Sequence, residues 1–137
     1  MKATEVNAGS DVPAKIRTLV VDDSPTVLLA LRREVSFHNS LEIVGTAIDG
    51  LEAFAAARML KPQLIVMDIE MPQMTGVESA LMIREIQPDA RIILTSGSTP
   101  TDIKAFCQAS GVDAFIPKPE LPAELGPAIR RLCPPRD

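Results

Sequence analysis

Aromatic side chains are almost missing from this chain of 137 residues, which has four Phe, no Tyr and no Trp. A base-stacking platform, or a flavin held between rings, therefore finds little support. Cysteine is scarce as well. Cys107 and Cys133 form no Cys-x-x-Cys pair, so they read as two reduced thiols, with a disulfide or redox pair as the alternative. Basic charge is in deficit, with 14 Lys and Arg against 18 Asp and Glu for a net charge of −4. No nucleic-acid-binding surface is implied. Long apolar runs are absent too: "LIVM" at 64–67 falls far short of the roughly 18 residues of a membrane helix. The first 15 residues hold no apolar stretch that would serve as a secretory signal. The expectation is a cytoplasmic protein with no membrane partner.

What is present suits one globular domain. Hydrophobic residues are 46% and charged residues 23%, and a chain of this length can bury a real core. Residues 1–15 are polar and aperiodic and read as a disordered N-terminal tail. Residues 16–133 read as the domain, and 134–137 as a C-terminal tail.

Within the domain, strand-like and helix-like segments alternate. Strands are expected at 17–21, 41–47, 63–68, 91–96 and 113–117. The third of these is apolar throughout, as a strand buried on both faces would be. Helices are expected at 24–37, 50–61, 76–87, 101–110 and 122–132. Ser24 is placed to cap the first, Pro62 and Pro88 end the second and third, and Gly111 closes the fourth. This alternation predicts an α/β fold, a single doubly wound five-stranded parallel sheet. Pro117 cannot donate to a ladder and places the fifth strand at an edge. Gly126 and Pro127 inside the last helix, and Leu121 before it, predict a kinked or frayed element there, either a weak surface helix or a partner-adaptive face.

In open α/β sheets ligands bind beyond the carboxyl ends of the strands. The residues expected there are Asp22, Asp23 and Ser24 after the first strand, Asp68 after the third, Thr95 and Ser96 after the fourth, and Lys118 and Pro119 after the fifth. Three clustered carboxylates repel one another and raise one another's pKa. A hard divalent cation relieves that repulsion, and Mg²⁺ is commonly held by one or two carboxylates together with phosphate oxygens. The cluster thus predicts a Mg²⁺ site suited to phosphoryl transfer, in which one carboxylate can be the nucleophile.

At these residues the sequence resembles the response-regulator receiver domain of two-component signalling. "VVDDSP" carries the acidic pair, and "VMDIEMPQMTG" the phosphoacceptor loop with Met71, Pro72 and Gly76. "ILTS" carries the switch hydroxyl, and "FIPKP" the lysine and its proline. The resemblance spans residues 16–133 and implies a flavodoxin-like fold with strand order 2-1-3-4-5. It implies phosphorylation of Asp68 by a sensor histidine kinase or phosphotransfer protein. It further implies Mg²⁺ held by Asp22, Asp23, Asp68 and the backbone carbonyl of Glu70, with Thr95 and Lys118 binding phosphoryl oxygens. Phe115 would be the switch aromatic, moving inward with Thr95. Lys118–Pro119 would be a cis peptide, a form that costs an X-Pro bond about 0.5–1 kcal/mol. The implied output is a changed surface on the fourth helix, fifth strand and last helix, read by a downstream effector protein. On this reading the chain is not an enzyme; phosphoryl transfer and hydrolysis occur at its own aspartate.

Some residues depart from the family pattern. Glu70 and Gly97 occupy positions that in the family tune phosphoryl lifetime, the first adding negative charge and the second leaving space. Ser96 replaces a usual alanine, Ala114 stands where many transcription-factor receivers carry an acid, and Glu120 replaces an aromatic. His38, the only histidine, reads as a helix-dipole contact. Three alternatives remain beside this reading. They are a Mg²⁺-dependent aspartyl-phosphate phosphatase, a flavodoxin-like electron carrier, and a receiver followed by an effector domain beyond residue 137.

Overall fold

Short apolar runs form the strands. In the computed structural model, which describes residues 14–134, Leu64–Asp68 is buried along its whole length. It is the middle strand of five. The strands are β1 (Ile16–Val21), β2 (Leu41–Ala47), β3 (Leu64–Asp68), β4 (Arg91–Ser96) and β5 (Ala114–Pro117). They pair in parallel in the order β2-β1-β3-β4-β5. This is the expected 2-1-3-4-5 sheet. Pro117 stands opposite Ser96 on the edge strand, where a missing N–H breaks no ladder.

Side chains alternate across the sheet and make two cores. Leu19, Val21, Ile65, Met67, Ile92, Leu94 and Phe115 face one side. It is covered by α2 (Gly50–Leu60), α3 (Gly76–Ile86) and α4 (Ile103–Ser110). Val20, Leu64, Val66, Ile93 and Ile116 face the other, under α1 (Pro25–Ser36) and α5 (Leu121–Leu132). Among the described residues no helix is long and apolar enough to cross a membrane. The tails expected at 1–15 and 134–137 lie outside the described residues except for 14, 15 and 134.

Parallel topology sends every helix off from the same end of the sheet, and polar side chains cap four of the five there. Ser24 accepts from Val27, Asp49 from Glu52 and Asp102 from Ala105. Thr75 and Glu78 form a reciprocal capping box, which satisfies two orphan donors at once. The fifth helix differs. A 3₁₀ turn, Lys118–Glu120, leads directly into α5, which has no side-chain cap. Contrary to the expectation of a frayed helix, α5 is continuous across Pro127. Leu121, Leu125, Ala128 and Ile129 are buried against the sheet. Leu121, Leu125 and Ile129 contribute roughly 1.5–3 kcal/mol each, together more than the roughly 3 kcal/mol an interior proline costs. His38 lies just past α1, its Nε2 3.6 Å from Glu34.

At the opposite end of the sheet Arg84 of α3 gathers backbone carbonyls from separate stretches of chain. It donates to the carbonyls of Pro88, Ala90 and Gly111, and to Asp113 Oδ2 at 2.9 Å. Asp113 Oδ2 also accepts from the Ile92 N–H at 2.8 Å. These bonds pin the amino ends of β4 and β5.

Gly76 starts α3 where no side chain fits: a Cβ there would overlap the backbone carbonyl of Asp68. Gly97, by contrast, has no atom within 4 Å of a Cβ placed on it, in keeping with the space expected at that position. We predict that Gly76→Ala destabilises the fold by about 1–3 kcal/mol, as overpacking against backbone does. Gly97→Ala should stay within about 0.5 kcal/mol of the native chain. Urea unfolding midpoints of the two variants check this, and equal effects would contradict it.

Candidate functional site

The parallel sheet delivers the sequence-predicted groups to one place. Asp22 and Asp23 follow β1, Asp68 ends β3, Thr95 and Ser96 end β4, and Lys118 follows β5. Lys118 Nζ lies 3.0 Å from Asp22 Oδ2 and 3.2 Å from Asp68 Oδ1. Apart from that ammonium, neither oxygen has a hydrogen-bond partner, though both are buried. The other oxygen of Asp22 accepts from the Ser24 N–H at 3.0 Å. Asp23 is exposed, yet one oxygen from each of Asp22, Asp23 and Asp68 lies within 4.8 Å of the others.

Two of the three carboxylates share one ammonium, and the balance shows in the pKa of Asp68. Burial of Asp68, then the negative charge of Asp22, raise its pKa from 3.8 to about 6, against the opposing pull of Lys118. Glu70 adds a smaller push in the same direction. For Lys118, burial alone would lower the pKa, but the carboxylates of Asp22 and Asp68 hold it above its ordinary value. The site is short of positive charge, and oxygen is its only donor type. That set fits a small, hard divalent cation, which favours carboxylate oxygens.

The remaining predicted residues are placed as follows. Thr95 is fully buried, and its hydroxyl donates to the Ile116 carbonyl on β5 at 2.7 Å, not to Asp68. Phe115 is buried and meets Phe106 of α4 edge to face, with centroids 5.7 Å apart. The Glu70 carboxylate turns to Ser96, whose hydroxyl donates to it at 2.7 Å. In the sequence Ser96 stands out only as a replacement for a usual alanine. No sequence signal shows the bond, because the two residues lie 26 positions apart, one at the end of β4 and the other in the β3–α3 loop. The Lys118–Pro119 peptide is trans, as is every peptide among the described residues. Here the expectation fails because Lys118 opens a 3₁₀ turn, closed by the Leu121 N–H on its carbonyl. Both cysteines are free, and burial raises the pKa of each thiol.

The family model for the response regulator receiver domain matches residues 18–130. The chain belongs to the receiver domain family. It is 35% identical over 113 residues to a protein-glutamate methylesterase/protein-glutamine glutaminase from Clostridium acetobutylicum, covering 81% of this chain and 33% of that protein. It is 34% identical over 117 residues to the response regulator protein VraR from Staphylococcus aureus, covering 85% of this chain and 56% of that protein. The response regulator domain of Thermotoga maritima CheB superposes with a TM-score of 0.73 at 32% identity, covering 86% of this chain and 93% of that one. CheY in a CheX–CheY–BeF3–Mg²⁺ complex from Borrelia burgdorferi lies in the structure that superposes at 0.78 and 27% identity, covering 89% and 92%. The receiver domain thus spans about a third of the methylesterase relative and about half of VraR. It is a component of two-component signalling, and an acidic cluster stands where receivers bind a metal.

The raised pKa of Asp68 carries a stability consequence. Its folded pKa, about 6, exceeds the ordinary 3.8. Its contribution to stability is therefore complete below the ordinary value and is lost as pH rises through about 6. Without divalent metal, Asp68→Asn is accordingly predicted to be more stable than the native receiver at pH 7.5, by about 1–3 kcal/mol. The advantage shrinks to nothing below pH 4. Urea unfolding in chelator at the two pH values measures it, and a destabilised Asp68→Asn at pH 7.5 would contradict the assignment.

Proposed function

We propose that this receiver domain, residues 16–133, accepts a phosphoryl group on Asp68 from a phosphohistidine of a sensor kinase or phosphotransfer protein. A downstream effector protein then reads the change. The observation that carries the reading is Lys118 Nζ lying 3.0 Å from Asp22 and 3.2 Å from Asp68. One ammonium beside a buried carboxylate is placed to receive the charge of an incoming phosphoryl group.

The step balances as follows. An Asp68 carboxylate oxygen attacks phosphorus, a P–O bond forms, the P–N bond to the imidazole breaks, and the imidazole leaves with its electron pair. Asp22 and Asp23, with Asp68 and the Glu70 main-chain carbonyl, would hold Mg²⁺. When bound, Mg²⁺ neutralises charge on the transferring group. Asp22 also holds Lys118 in place through its own ion pair. Lys118 turns from the Asp68 oxygen to a phosphoryl oxygen. Thr95 gives up the Ile116 carbonyl to donate to another, which alters the β4–β5 junction. Phe115 then passes that change to α4 through Phe106. The affected face is α4, β5 and α5. It carries a cleft of about 450 Å³ lined by Ile103, Lys104, Cys107, Phe115 and Arg131, among others, and we assign effector binding to that face. Conversion of an unrelated ester is not part of this reading, so the domain itself is not an enzyme.

Incubation with phosphoramidate and Mg²⁺ followed by intact mass tests the proposal. The native chain should gain one phosphoryl adduct, and Asp68→Ala none. Lys118→Ala should gain it more slowly, by about tenfold or more, because an electrostatic partner of the transition state is lost. An adduct that persists in Asp68→Ala would overturn the reading. So would steady turnover of an unrelated phosphate ester, which would point to a phosphatase.

A further inference from the structure

A hydrogen-bonded chain beside the site takes no part in the chemistry just described. Ser96 Oγ donates to Glu70 Oε2 at 2.7 Å and accepts from the Ser98 N–H at 3.0 Å. Ser96 is buried at the end of β4, while Glu70 stands in the β3–α3 loop two residues after Asp68. One hydroxyl therefore ties the loop that follows the phosphoacceptor to the first residues of the β4–α4 loop. The loop is open at its next residue: a Cβ on Gly97 would meet no atom within 4 Å beyond its chain neighbours. Glu70 makes no ion pair among the described residues, while Lys118 is engaged with Asp22 and Asp68.

We propose that Ser96 is a positioning residue that fastens the β4–α4 loop to Glu70 until Asp68 carries a phosphoryl group, whose charge then releases it. The inference rests on the phosphoacceptor reading above and adds a second device to it. Phosphorylation replaces a single negative charge with roughly −1.5 to −2 and three acceptor oxygens. Glu70 is close enough for its charge to be felt at Asp68, and its carboxylate pairs with no side-chain cation among the described residues; with Mg²⁺ in place before and after loading, the phosphoryl charge is the only charge added. Its carboxylate is driven off, Ser96 Oγ loses its acceptor, and the Ser98 N–H loses a fixed partner. A local change of charge thus acts on a segment with two arrangements. The route differs from that of Thr95. Thr95 is drawn toward the phosphoryl group as an attracted donor, whereas Glu70 is expelled as a repelled anion, and both actions fall on the loop leaving β4.

Two substitutions separate bond from charge. Ser96→Ala removes the hydroxyl and both of its bonds. Glu70→Gln keeps an oxygen acceptor for Ser96 but removes the charge that loading would repel. The experiment is amide hydrogen exchange at Ser98, followed by NMR on the full chain in Mg²⁺ throughout, with and without phosphoramidate. Intact mass confirms the adduct in each sample. In the native chain, loading should speed exchange at Ser98 by about threefold or more. Ser96→Ala should exchange fast from the outset and respond little to loading. Glu70→Gln should start slow and stay slow although its adduct forms, a result that a merely structural bond would not produce. Native Ser98 unchanged in the presence of the adduct would overturn the latch alone. So would Glu70→Gln released as fully as the native chain. Absence of any adduct on native protein would overturn the phosphoacceptor reading and the latch with it.

Discussion

Two buried carboxylates are forced together by the sheet. Asp22 ends its run on β1 and Asp68 ends β3, and β1 and β3 are adjacent parallel strands. Their side chains cannot avoid each other without breaking strand register. A single ammonium, brought by the turn after edge strand β5, stands between them. The capped helix ends, the close approach of α3 through Gly76 and the edge position of Pro117 all serve that meeting. Placing charges where they repel stores free energy in the folded state, and anything that brings positive charge to the cluster releases it. A metal ion answers that deficit; a phosphoryl group alters it.

The response to added charge is set by which bonds near the site can change. At the far end of the sheet, Arg84 and Asp113 bind the amino ends of β4 and β5 to several backbone groups. At the near end, Thr95 is held by one hydroxyl bond to Ile116, and the β4–α4 loop by Ser96. Each of those bonds can be exchanged for another of similar strength, which is what the proposed switch asks of them. The two ends of β4 and β5 thus differ in how many side-chain bonds hold them.

Much of this was legible in the sequence, and for identifiable reasons. The unbroken apolar run at 64–68 marks a central strand because only a strand buried on both faces tolerates it. Pro117 marks an edge because it lacks an N–H. The acidic and basic groups of the site are fixed by topology alone, since parallel strands share one carboxyl end. What was not legible depends on side-chain rotamers or on tertiary burial. Local propensity at Gly126 and Pro127 argued against a continuous α5, and four buried apolar side chains overrode it. The trans Lys118–Pro119 bond follows from the 3₁₀ turn, which no spacing announced. The Thr95 bond to the Ile116 carbonyl could not be read from the chain. Neither could the Glu70–Ser96 bond or the Arg84–Asp113 clasp, each of which joins residues far apart in sequence.

The central claim is that Asp68 is an unsatisfied carboxylate, held in a site deficient in positive charge. Its titration is the most direct measure, followed by carboxyl-carbon NMR with and without Mg²⁺. The account predicts a metal-free pKa of about 6, well above the ordinary 3.8, and a downward shift when Mg²⁺ is added. An Asp68 that titrates near 3.8 and ignores Mg²⁺ would contradict it.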